Sequence, residues 1–204
     1  MPKRGPPPAS RKPPPAVAED AQTRTGALSR SRRRAMRNAA IALVVTLSVF
    51  LLGYLLLPAL FDFPTAPLDR LIFVLRAEIF VFLWVVVAFR VASGNRFFGP
   101  ATGDSPRSPA NEQQGLFALF ASNTLQQAAM ALVAHLALAT LLEGPGIALI
   151  VGAVLLFSLG RAVFIAGLRP GSGLSSLGMM ITALPTTLCY CAAIILLIVR
   201  LPIS

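Results

Sequence analysis

Asn123, Gln126 and Gln127 interrupt an otherwise apolar run, FALFASNTLQQAAMALVAH at residues 117–135. Three and four residues apart, they share one face of a helix. Amides at membrane depth turn toward a bundle interior or a wet cavity, because an unsatisfied polar group in hydrocarbon is costly. Arg161 adds a charge inside a later apolar run, and no acidic residue in the sequence stands at a matching depth. Amides can hydrogen-bond a guanidinium but cannot neutralise it, whereas an anionic ligand or a phospholipid headgroup would. Arg76, Glu78 and His135 form a second set. Arg76 and Glu78, two residues apart, point about 200° away from each other on a helix and cannot pair. His135 is the natural partner for Glu78, leaving Arg76 to a backbone carbonyl or another subunit.

Such amides have a second, purely structural use, since interhelical hydrogen bonds also fix helix register. Residue types alone leave register and ligand contact both open for Asn123, Gln126, Gln127 and Arg161, and the same holds for His135 as core residue or proton relay. Cys189 and Cys191, two apart in an apolar run, point to different sides of a helix. They offer neither a disulfide framework nor a metal site, and read as lipid-compatible fillers.

The elements that must carry these residues follow from composition. A chain of 204 residues, 55% hydrophobic and 13% charged with mean hydropathy +0.73, has too much apolar surface for a soluble core. Five apolar runs are near the ~20 residues a bilayer requires: residues 39–60, 71–92, 115–141, 146–167 and 177–199. The net charge of +10 is concentrated at one end, with ten of the 18 Lys and Arg before residue 38. That is a topology signal rather than a nucleic-acid signal. Counted over alternate connections it sets the N-terminus in the cytoplasm and the C-terminus outside, with the cytoplasmic or plasma membrane as the default location. Residues 1–37, with two Pro-Pro-Pro runs, read as a disordered basic tail that anionic lipid would retain. Residues 38–61 are the first membrane helix, and residues 70–200 a four-helix transmembrane domain. Residues 93–114 are the one long loop, and Glu143, Gly144 and Pro145 make a tight outer turn.

At about 1.5 Å per residue, Asn123, Gln126, Arg161 and Thr182 reach a common depth in the cytoplasmic half, and Arg76, Glu78 and His135 a common depth in the outer half. Small residues such as Gly152 and Gly160, or Ala162 and Ala166, suit close helix approach at an oligomer interface. Pro185 predicts a kink that frees the carbonyl of Ile181, with Thr182 and Thr186 near enough to bond the freed groups.

The segment N-T-L-Q-Q at Asn123 to Gln127 resembles the second helix of the MAPEG family, the membrane proteins of eicosanoid and glutathione metabolism. R-A-V-F-I-A-G-L at Arg161 to Leu168 resembles that family's third helix. R-L-I-F-V-L-R at Arg70 to Arg76, and the spacing from Arg161 through Gly178 and Thr182 to Pro185, resemble its mattrin-like subgroup, which carries an added N-terminal membrane helix. The resemblance covers residues 70–199. It implies a MAPEG-like four-helix bundle plus one extra helix, an all-α membrane fold assembled as a homo-oligomer, a trimer, with glutathione between subunits in the cytoplasmic half. On the matching positions, Asn123, Gln126 and Arg161 would be the cofactor-binding residues. The departures bear on catalysis. Phe164 and Leu168 stand where the family places tyrosines, Gln126 stands for a Glu and Leu119 for an Arg. Arg169 or Ser172 would have to compensate. Donors that stabilise a thiolate are therefore lost, and losing a single oxyanion donor costs ~100- to 1,000-fold in rate. The expectation is a non-catalytic, degenerate member with an anion- or amphiphile-binding inner layer, the alternative being a glutathione-dependent transferase or peroxidase.

Overall fold

The computed structural model describes residues 15–98, 109–168 and 174–200, all helix apart from short turns. Among the described residues five helices follow in order, α1 (Pro15–Leu60), α2 (Pro67–Phe98), α3 (Pro109–Leu141), α4 (Ile147–Ala166) and α5 (Leu174–Arg200), with one 3-10 turn at Gly144–Gly146. Each contains a stretch long and apolar enough to cross a membrane. In hydrocarbon a lone helix satisfies its own backbone, so five apolar spans need no sheet. The exposed Leu75, Ile79, Phe80, Leu83, Leu155 and Leu159 are what a surface solvated by lipid carries.

The chain divides into two units, Met1–Arg37 and Asn38–Ser204. In the first, helix begins at Pro15, where a disordered tail is expected through residue 37. From residue 15 to 37 the sequence is rich in Ala and Arg, strong helix formers, and Pro stands at the first helical position, where its missing N–H costs nothing. Arg32, Arg33, Arg34 and Arg37 are exposed. Residues 1–14, including both Pro-Pro-Pro runs, lie outside the described residues. So do residues 99–108 of the expected long loop, whose flanks are helical: α2 continues to Phe98 and α3 starts at Pro109.

In the second unit α4 is the most enclosed span. α1 lays Val49 and Phe50 on Gly152, and its Ala42 packs with Leu156 of α4 and Ile181 of α5. α2 and α3 pack along a stripe of Arg70, Val74, Glu78, Val81, Val85 and Ala88, spaced at three and four residues. α4 and α5 meet backbone to backbone at Gly160 and Gly178. A Cβ added at Gly178 would stand 2.4 Å from the Phe164 nitrogen and 2.6 Å from the Gly160 oxygen. Only glycine permits that approach.

The expectation that the small residues of α4 serve oligomerisation is corrected for one pair, since Gly152 is covered by α1 and Gly160 by α5, whereas Ala162 and Ala166 are exposed. The tight turn is as expected, with Gly144 at φ 51. α5 runs unbroken through Pro185, and the threonines serve other carbonyls than that of Ile181: Thr182 donates to Gly178 O at 3.0 Å and Thr186 to Thr182 O at 3.1 Å.

Candidate functional site

Arg161 is the largest side chain wholly buried in the bundle, 0% exposed. It is fixed from α3 and from its own helix. Its Nη1 donates to Asn123 Oδ1 at 2.9 Å and to Thr124 Oγ1 at 3.3 Å. The Thr124 hydroxyl in turn donates to Phe120 O at 2.7 Å, so its lone pairs are turned toward the guanidinium. Phe157 and Phe164, four residues before and three after Arg161, hold its carbon at 5.3 and 5.7 Å from their ring centroids. Phe164 stacks on Phe120 of α3 at 5.3 Å. The Gly160–Gly178 contact sits one residue from Arg161, and so α5 backs the site closely.

The energies of this arrangement nearly balance. A central arginine costs about 2.5–3.5 kcal/mol on insertion scales. A hydrogen bond to a charged group returns about 1.5–3 kcal/mol, and a cation held over an aromatic face about 0.5–2 kcal/mol. Burial is thus sustainable, but it serves only one edge of the guanidinium. Nε and Nη2 are buried and find no hydrogen-bond partner among the described residues. Those two nitrogens form the planar fork that grips a carboxylate or phosphate through two parallel bonds.

Asn123 and Arg161 are therefore brought together as their depths suggest. Gln126 is not: it is exposed on α3, and Gln127 is half-buried with no bond to Arg161. A helix sets residues three apart about 60° round from each other, and α3 turns Asn123 rather than Gln126 toward α4. Thr182 packs against Gly160 and gives its hydroxyl to its own helix. Thr124, Phe157, Phe164 and Phe120 were not singled out by residue type. Their signal is positional: Phe120, Phe157 and Phe164 stand three or four residues from Asn123 or Arg161 on the same helix, and Thr124 directly follows Asn123. Arg169 and Ser172 lie outside the described residues.

In the other layer Nδ1 of His135 on α3 meets Oε1 of Glu78 on α2, with the two side chains 1% and 3% exposed. With the carboxylate accepting, the imidazole proton is on Nδ1. Oε2 of Glu78 and Nε2 of His135 find no partner among the described residues. Val74, one turn before Glu78, and Ala134, next to His135, belong to one apolar cluster with the buried Cys189 of α5, while Cys191 is exposed. Arg76 does not belong to this layer. It is exposed on the opposite side of α2 from Glu78, as two-residue spacing on a helix demands. Two turns before Glu78, Arg70 is buried and donates from Nη1 to Leu142 O, with Glu143 Oε1 at 3.7 Å.

Fold and site together define a class: an all-helical, multi-pass membrane protein whose bundle encloses two separate polar layers. Comparison with protein-family models, with curated proteins and with solved structures returns no match.

Proposed function

We propose that the chain is a MAPEG-like membrane protein of the non-catalytic kind, a homo-oligomeric helical scaffold that holds the anionic head of an amphiphile on Arg161. The observation that carries this reading is the unserved fork of a wholly buried guanidinium, Nε and Nη2, beside a bonded Nη1. A carboxylate or phosphate supplies the charge that Asn123 and Thr124 lack, and the surrounding hydrocarbon accommodates an acyl chain. The way in is along α3, where Asn123 is half-buried and Ser122 and Gln126 are exposed. The family's tyrosine positions hold Phe164 and Leu168, and Phe164 is committed to stacking on Phe120, so this layer has no phenol with which to activate a thiol. An N-terminus on the cytoplasmic side, from the basic tail, would put the site in the cytoplasmic half and its ligand's head in that leaflet.

A naturally fluorescent long-chain fatty acid titrated into the full chain in detergent tests the reading. Saturable binding that falls about 10- to 100-fold in Arg161→Leu is expected, the loss of one charge-assisted contact. Equal binding by the variant would overturn it. The retained Asn123–Arg161 bond supports a second reading, a glutathione-dependent transferase or peroxidase. That one requires conjugation of glutathione to an aromatic electrophile well above the rate of Arg161→Ala.

A further inference from the structure

α2 carries two arginines that the bundle does not use. Arg76 and Arg90 are both exposed, and neither has a hydrogen-bond or ion-pair partner among the described residues. They are fourteen residues apart, which returns a helix to within about 40° of the same direction. Between them the same face presents Ile79 (66% exposed), Phe80 (61%) and Leu83 (53%). The result is a strip of apolar side chains with a guanidinium at each end, on the side of α2 turned away from the Glu78 stripe that packs on α3.

Distance decides what that strip fits. Fourteen residues span about 21 Å of helix axis, against a hydrocarbon core of about 30 Å. Centred on the strip, each Cα falls about 4–5 Å short of its edge of the hydrocarbon. An arginine side chain extended away from the centre crosses such a gap with its methylenes in lipid and its guanidinium at the headgroups. The neighbouring Arg70 agrees with this register. Six residues further out, about 9 Å, it lies beyond the hydrocarbon edge, where it meets Glu143, whose side chain is 72% exposed. A second copy of the chain is the weaker occupant. Within the apolar part of the described spans the one acidic residue is Glu78, which is buried and engaged with His135, so a partner copy would offer these arginines no carboxylate.

We propose that this face of α2 is a lipid-binding seam, with the phosphodiester of one glycerophospholipid bound by Arg76 in one leaflet and that of another by Arg90 in the opposite leaflet, their acyl chains lying over Ile79, Phe80 and Leu83. Arg76, expected from the sequence to seek a carbonyl or another subunit, takes a phosphate instead. The partner chemistry is the phosphate group, so zwitterionic phosphatidylcholine and anionic phosphatidylglycerol both qualify, whereas an uncharged glycolipid does not.

The test is native mass spectrometry of the full chain released from nanodiscs of phosphatidylcholine, of phosphatidylglycerol, or of either mixed with a galactosyl diacylglycerol. The wild type is expected to keep phospholipid adducts after release from the nanodisc and to exclude the glycolipid. Arg76→Leu and Arg90→Leu should each lose one adduct per chain, the double variant two, and Arg76→Lys none. Both side chains lie outside the packed core, and an unchanged helical circular-dichroism spectrum and elution volume verify folding. Three results would overturn the proposal: adducts unchanged in the double variant, glycolipid retained as well as phospholipid, or Arg76→Leu dissociating an oligomer while its adducts persist. The last would give the face to a second copy.

Discussion

In the layer around Arg161 a charge is held by neutral groups, whereas in the layer around Glu78 two ionisable groups answer each other. The first is left with an unserved fork of two nitrogens. The second joins its two facing atoms and leaves one polar atom free on each partner. The difference teaches where stability and binding reside in a bundle with little else to distinguish its faces. Glu78 and His135 clamp α2 to α3, and removing either leaves the other stranded in hydrocarbon. Arg161 keeps two buried nitrogens unserved, and on the proposed reading its layer is the one that receives a ligand.

The comparison breaks most readily at the clamp. His135→Ala should destabilise the protein in detergent by about 3–5 kcal/mol, because it strands a buried carboxylate. Replacing both residues with leucine should recover most of that loss. Thermal unfolding of the two single variants and the double gives the coupling, and additive effects would show that the pair is not a clamp. Gly178→Ala comes next, at about 1–3 kcal/mol and toward the upper end, since the added methyl meets backbone rather than a movable side chain. It sharpens the contrast because it acts at the level of Arg161: fatty-acid binding should weaken while the Glu78–His135 coupling stays as in the wild type.

Much of this was legible beforehand. Hydropathy gave five spans, and counting residues from their ends matched Asn123 with Arg161 and Glu78 with His135, because rise per residue converts position into depth. What depth cannot convey is rotation. A soluble helix announces its inner face by its polar outer one, but here lipid-facing and core-facing positions are alike apolar. Gln126 thus looked equivalent to Asn123 and proved exposed. Gly152 and Gly160 had the spacing of an intermolecular seam, yet α1 and α5 occupy them. The early start of α1 at Pro15 was hidden by the prolines and arginines before residue 38, whose charge argued against burial but did not oppose helix.

Arg161→Leu has a smaller expected effect on stability than either change above. It removes an insertion cost of about 2.5–3.5 kcal/mol together with contacts of similar size, leaving a net change within about 1 kcal/mol in thermal unfolding. Ligand affinity should nonetheless fall by the tenfold or more already argued. A variant as destabilised as His135→Ala would mean that Arg161 is itself a structural clamp and that the two layers differ less than their bonding suggests.

The smallest expected effect tests what an unserved polar atom means in this bundle. Thr46 on α1 is fully buried and its hydroxyl finds no partner among the described residues. Unlike Arg161 it makes no side-chain hydrogen bond among the described residues, and it stands on α1 between Val45 and Val49, which pack against Leu156 of α4 and Ile181 of α5. An orphan hydroxyl with no ligand to await is simply a cost, so Thr46→Val, which keeps the branched shape, should stabilise the protein by about 1 kcal/mol in thermal unfolding. Added fatty acid should raise the melting temperature of wild type and Thr46→Val by the same amount, and that of Arg161→Leu hardly at all. If valine at 46 is instead destabilising, buried polar atoms here are satisfied in ways their geometry does not reveal, and the unserved fork of Arg161 loses its force as a sign of a ligand.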